Sequence, residues 1–242
     1  MFDNISYDVV LCWYTREEFG MPEYDMKKEK LSIQIYKKIK NDLLYLKILP
    51  DSVLQEREIA NRFSVSRTPI REAIQRLAIE GWVEINSRKS IVIKPIREQD
   101  VIEIFEFRRI IEPMVLDIIL EKRLADLTLV NNIQNILNTM KSTKDNTAEF
   151  IDLDQKFHAS IIHKISNKRL NQTWGQLKDE IIRLGMIAMQ KPGRFANVVQ
   201  EHQRIIDALV DMKKLKARKS CLDHLYSTED IILESIFNKG GK

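Results

Sequence analysis

Val65-Ser66-Arg67-Thr68-Pro69-Ile70-Arg71-Glu72-Ala73-Ile74-Gln75-Arg76-Leu77 is the stretch that decides the fold. Ile70, Ala73, Ile74 and Leu77 recur at helical spacing, so one face of this segment is buried. Ser66 is placed to cap the helix, and Pro69 falls in its first turn, where a missing N–H costs little. Gly81 closes it. Arg67, Thr68, Arg71 and Gln75 lie opposite the apolar stripe, and Arg67 and Arg71, four apart, project together. A helix N-terminus facing a DNA groove can set such side chains on guanine edges or phosphates, and its own N–H groups favour anions. The competing reading is an ordinary solvated basic face.

Working outward, two helices precede this one and two strands follow it. Leu31, Ile35, Ile39, Leu43 and Leu46 form the stripe of a first helix, which Pro50-Asp51-Ser52 is expected to end. A second helix is predicted over about Gln55–Phe63. After Gly81, the β-type runs Trp82–Asn86 and Ser90–Lys94 flank Ser87-Arg88-Lys89. Three helices and a hairpin make a winged helix-turn-helix over 26–95. Charge favours the nucleic-acid reading. Residues 27–94 hold fifteen basic and eight acidic residues, a balance of +7 within a chain of net charge +4. The first 26 residues balance at −5 and residues 95–242 at +2.

The run Val65–Leu77, with Glu80-Gly81 after it and Leu54, Glu56-Arg57-Glu58-Ile59-Ala60 before it, resembles the signature of the GntR family of bacterial repressors. The resemblance implies that Arg57, Arg67, Thr68 and Arg71 touch operator DNA. Ser66, at the start of the reading helix, joins that set, as do Arg88 and Lys89 at the wing tip. The family usually has glycine where this chain has Asp51, and a glycine near the wing tip where it has Ser87-Arg88-Lys89. The helix contacts are therefore the firmer expectation.

Beyond Pro95 the pattern is helical throughout, with segments at 98–123, 126–142, 146–165, 168–190, 194–211 and 213–237. Short connections between amphipathic helices predict an antiparallel bundle over 96–242, so the fold class is mainly α. The chain has four histidines, at 158, 163, 202 and 224. Asp154 and His158 share a helix face, and His202 and His224 lie on later helices. One carboxylate and three imidazoles from three helices suit zinc, nickel or manganese. An aspartate and a histidine at this spacing also occur as a plain surface pair.

The pattern Asp154-x-x-Phe157-His158, Asn167-x-x-Leu170, Glu201-His202-x-x-Ile205 and the late His224 is similar to the FCD effector domain of the FadR subfamily, as is Arg108-Arg109-x-x-Glu112. This resemblance implies that Asp154, His158, His202 and His224 hold a divalent metal ion. His163 is off the pattern and reads as surface or packing. Near such a centre Arg108 would pair with a carboxylate effector, or else with an acid of the bundle; Glu112 and Asn167 are further candidate effector contacts. The expected function is a homodimeric regulator, a repressor in the first instance and not an enzyme. It would bind an inverted-repeat operator in double-stranded DNA under control of a small organic acid. One alternative is a regulator that responds to the metal itself. Another is a metal-dependent hydrolase fused to a DNA-binding module, but no motif such as H-E-x-x-H is present.

Residues 1–25 show no period and form an unassigned N-terminal extension; the expectation is that Met26 is the native start. Hydrophobic residues at 44% and charged residues at 31% describe a chain able to bury a core. Nothing resembles a transmembrane span or a secretory signal, and Cys12 and Cys221 make no disulfide framework. A cytoplasmic protein without membrane partners is the corresponding expectation.

Overall fold

A computed structural model describes residues 30–86 and 90–237. Its first unit is the winged helix. α1 (Leu31–Leu44) buries Ile35, Tyr36, Ile39 and Leu43. The stripe holds except at its ends. Leu31 is half exposed, and the helix stops at Leu44, well before Pro50. Leu46 leaves it with a left-handed backbone, φ 55°. The last carbonyls find partners in the turn instead, Leu43 O accepting from Leu46 N and Asp42 O from Ile48 N.

Asp51 carries φ 62°. The position where the family prefers glycine is therefore a left-handed turn, and aspartate is among the residues that tolerate it best. The turn delivers β1 (Val53–Leu54), a strand that periodicity did not predict because two residues carry no period. Val53 pairs with Val92 and Leu54 with Ile91 of β3 (Ile91–Ile93). β3 also pairs antiparallel with β2 (Val83–Ile85), giving the sheet order β1-β3-β2. The expected wing-tip residues Arg88 and Lys89 lie outside the described residues, as does the extension 1–25.

α2 (Glu56–Phe63) ends at Ser64, itself left-handed at φ 54°. The turn leads into α3 (Arg67–Ile79). Ser66 occupies the N-cap position with extended backbone, but its side chain makes no capping bond, contrary to expectation. Its hydroxyl is exposed. Gly81, at φ 77°, turns the chain into β2, with Trp82 N donating to Leu77 O. Ile70, Ala73, Ile74 and Leu77 close a small core with α1, Val83, Ile91 and Ile93.

Six helices follow: α4 (Glu98–Glu121), α5 (Leu127–Ser142), α6 (Thr147–His163), α7 (Lys168–Ala188), α8 (Arg194–Val210) and α9 (Lys214–Phe237). Asp126, Asn146 and Asn167 cap α5, α6 and α7 by accepting from backbone N–H groups of the first turn. Gly193, at φ 79°, opens α8. α4 packs along α9, α9 along α8, and α5 along α6. A second, larger core fills the bundle around Phe105, Phe150, Phe157 and Trp174. None of the described helices is long and apolar enough to cross a membrane.

The two units are tied at named points. Lys40 of α1 bridges Glu80, at the C-terminal end of α3, and Asp179 of α7, at 2.8 and 2.7 Å. Burial opposes the Lys40 charge, but Asp179 and Glu80 outweigh it and raise the pKa. Arg183 of α7, 5% exposed, donates to the Lys94 carbonyl at 2.9 Å and lies over the Trp82 ring. Tyr45 donates to Asp152 of α6 at 2.6 Å.

Candidate metal centre and DNA-reading surface

α6 places Asp154 and His158 one turn apart on its inner face, α8 contributes His202 and α9 His224. Their ligating atoms lie within 4.8 Å of one another. His202 Nε2 is 3.4 Å from Asp154 Oδ1, and His158 Nε2 is 3.9 Å from the same oxygen. All three imidazoles are buried. His202 stacks on Phe157, with ring centroids 4.1 Å apart and planes within 5°.

Each of two histidines is oriented by a carboxylate that is itself held by an arginine. Glu112 bonds His158 Nδ1 at 2.6 Å through one oxygen and accepts from Arg108 Nε at 2.6 Å through the other. Glu201 bonds His224 Nδ1 at 2.7 Å and accepts from Arg194 Nη1 at 2.7 Å. The two relays, Arg108–Glu112–His158 and Arg194–Glu201–His224, enter the cluster from different helices. A carboxylate accepting from Nδ1–H leaves Nε2 bare and pointed away, the tautomer a ligating imidazole needs. Burial alone would raise the Glu112 carboxyl, but Arg108 and His158 outweigh it and hold it at about 2. Burial, then neighbouring histidines and arginines, push His202 and His224 well below the ordinary imidazole value, so both are neutral. Burial raises the Asp154 carboxyl.

This donor set fits a divalent ion on the protein's own geometry. His158 Nε2 and both nitrogens of His202 are buried without a hydrogen-bond partner. Buried polar atoms are otherwise almost always paired, and the orphaned Nε2 atoms of His158 and His202, both within 4.0 Å of Asp154 Oδ1, form part of a ligand set. One carboxylate and three imidazoles suit zinc, nickel or manganese. Beside the cluster lies a cavity of about 20 Å³, lined among others by Arg108, Asp154, Arg194, His224 and Thr228.

The structure brings Asp154, His158, His202, His224, Arg108 and Glu112 together. Asn167 is exposed and spends its side chain capping α7. His163 is exposed at the end of α6. Sequence reasoning gave no role to Glu201 or Arg194. Arg194 is 1% exposed and also donates to Ser227 at 3.1 Å and Thr228 at 2.6 Å. Its one signal was the spacing of seven to Glu201, two helical turns on the same face.

On the winged helix, Arg57, Ser66, Arg67, Thr68 and Arg71 are all exposed, around the exposed N-terminal end of α3. Arg71 Nε contacts Glu56 at 2.9 Å, an exposed pair of small energetic value that DNA phosphates could replace.

Such a winged helix, joined to an all-helical bundle, is the build of a DNA-binding transcriptional regulator. Comparison with known proteins specifies it. Residues 31–93 match the bacterial regulatory proteins of the gntR family and residues 103–227 match the FCD domain. The chain belongs to the GntR family of transcriptional regulators and carries an FCD domain. It is 28% identical over 192 residues to the gluconate operon transcriptional repressor of Bacillus subtilis, covering 76% of each chain. It is 26% identical to the transcriptional repressor RspR of Escherichia coli, covering 82% of this chain and 87% of that one. Among solved structures it shares its fold with E. coli McbR/YncC, at TM-score 0.66 and 17% identity over 85% of this chain and 98% of that one. A GntR regulator from Rhodococcus gives TM-score 0.67 at 18% identity, over 84% and 98%.

Proposed function

We propose that this chain is a homodimeric repressor of the FadR subfamily, with residues 26–95 reading an inverted-repeat operator and residues 96–242 sensing a small organic acid at a metal centre. The observation that carries the reading is the buried Asp154–His158–His202–His224 cluster with orphaned imidazole nitrogens, beside a cavity lined by Arg108. A divalent ion held there supplies a Lewis-acidic anchor for an anion. Arg108, whose Nη2 is buried without a partner, supplies a second. On the DNA side the proposed contacts are Arg57, Ser66, Arg67, Thr68 and Arg71, with Arg88 and Lys89 of the wing.

α7 supports a route from one to the other. Its Ile181, Gly185 and Ala188 line the cavity. Its Asp179 and Arg183 hold Lys40 and Lys94 of the winged helix. A cavity of about 20 Å³ has room for roughly one water. Any organic acid must therefore move a wall, and α7 is a wall that meets the DNA-binding unit at two points, while α6 meets it through Asp152 and Tyr45. The same small volume favours a second reading, in which the ion alone is the signal. The hydrolase reading draws no support from the site, because Glu112 and Glu201 each already hold an arginine and a histidine.

Titrating the operator complex separately with nickel, zinc or manganese and with carboxylates distinguishes the two regulatory readings. Release or tightening by acid only when metal is present supports the first. An operator affinity that follows metal and ignores every acid supports the second.

A further inference from the structure

We infer that the effector is a small monocarboxylate with an apolar substituent, rather than a dicarboxylate or a polyhydroxylated acid. The inference rests on the effector reading above and concerns the chemistry of the same cavity. Three observations carry it.

The first is charge. The buried groups around the cavity are two guanidiniums, Arg108 and Arg194, and three carboxylates, Glu112, Asp154 and Glu201. An imidazole that ligates a metal ion does so in its neutral form. With a divalent ion and neutral imidazoles, the site carries one net positive charge. One carboxylate neutralises it. A dicarboxylate would leave a surplus negative charge out of water, which is costly. The spare donors match the same ligand, since Arg108 Nη2 and Arg194 Nε are both buried without partners. Two free N–H groups suit the two oxygens of one carboxylate.

The second is the rest of the lining. Phe105, Phe150, Ile181, Ala188, Met189 and Val198 make the remaining wall apolar. Among the described lining residues, apart from His224 of the proposed ligand set, Thr228 is the one neutral polar side chain, and its hydroxyl is committed. It accepts from Arg194 and donates to the His224 carbonyl at 2.8 Å. A chain of hydroxyls would enter without partners, and each unpaired hydroxyl weakens binding. An alkyl substituent meets the surface it prefers.

The third is size. The cavity holds about one water, so a ligand tail must displace a side chain. Met189, half-buried and unbranched, is the lining residue best able to yield.

The test uses the full-length protein loaded with nickel, with butanoate, succinate and gluconate as probes. Calorimetry and operator displacement are read for each. Butanoate is expected to bind at least about tenfold more tightly than either of the others. Equal or tighter binding of succinate or gluconate overturns the inference while leaving an acid-responsive regulator intact. No response to any of the three, with one nickel per chain present, counts against the effector reading itself and so against this inference too. A Met189→Gln variant places an amide in the apolar wall without touching the proposed ligands. It should keep its nickel and lose at least about threefold of the preference for butanoate over gluconate. An unchanged preference would overturn the lining as its cause.

Discussion

At the scale of single residues, the bundle centre is a layered arrangement in which each charge has a stated job. Asp154 and the three histidines face inward; Glu112 and Glu201 fix two of the rings; Arg108 and Arg194 neutralise those glutamates. Removing a middle member is therefore informative. Glu201→Gln keeps the shape but weakens the hold on His224 Nδ1–H, and metal affinity is expected to fall about 10–100-fold, read by competition with a chelator dye. An unchanged affinity would mean that the relay does not tune the site. His202→Ala should lose the ion outright. Elemental analysis of dialysed protein and melting curves with and without chelator check this, because an ion bound only to the folded state raises the melting temperature by mass action. On the other unit, Arg67→Ala or Arg71→Ala should cost roughly 1–3 kcal/mol of operator discrimination per lost base contact, without unfolding. Footprints unchanged in both variants would reject the recognition-helix assignment.

At the scale of elements, α7 holds the winged helix through Asp179 and Arg183 while packing in the bundle. Gly185 lets it lie close to α6, since a Cβ there would stand 3.0 Å from Ile151 Cδ1. Gly185→Val should overpack that contact and destabilise by about 1–3 kcal/mol, seen as a lowered melting temperature. The tether at its middle is pH-dependent in a defined direction. Burial opposes ionisation of Glu80, but bonds from Lys40, Tyr36 and Arg76 outweigh it and lower its pKa below the usual 4.5. A depressed carboxyl contributes stability above its unfolded value and loses it as pH falls through the folded one. Lys40, raised above 10.5, keeps its contribution at neutral pH and loses it only in strong alkali. Lys40→Met should thus lower the melting temperature at pH 7, and the gap from wild type should close as pH drops below about 4.5. A gap constant down to pH 3 would show that the tether contributes nothing through charge.

At the scale of the molecule, the proposed dimer makes a geometric demand on DNA. Two-fold protein symmetry is mirrored in an operator of two inverted half-sites. Footprinting with light scattering of the complex should find two chains on one inverted repeat. A single asymmetric site occupied by one chain would contradict the proposal.

Much of this was legible in the chain itself. The apolar spacing of Ile70, Ala73, Ile74 and Leu77, the glycine at 81 and the basic block specified a reading helix, because helix periodicity and turn chemistry are local properties. The helical segments beyond Pro95 came within a few residues of those observed for the same reason. That Asp154, His158, His202 and His224 come together was readable from residue type and resemblance. What only the tertiary structure decided are contacts between positions far apart in sequence. The pairing of β1 with β3 joins Val53 to Val92, and two residues have no period to announce them. The Lys40–Asp179 tether and the Arg183–Lys94 bond join units whose docking no local pattern encodes. Arg194 and Glu201 carried no assigned role in the sequence until α8 and α9 closed around them. Burial then turns each into a paired group with a fixed direction, because a charge taken out of water must find a partner, and the fold alone determines which partner is within reach.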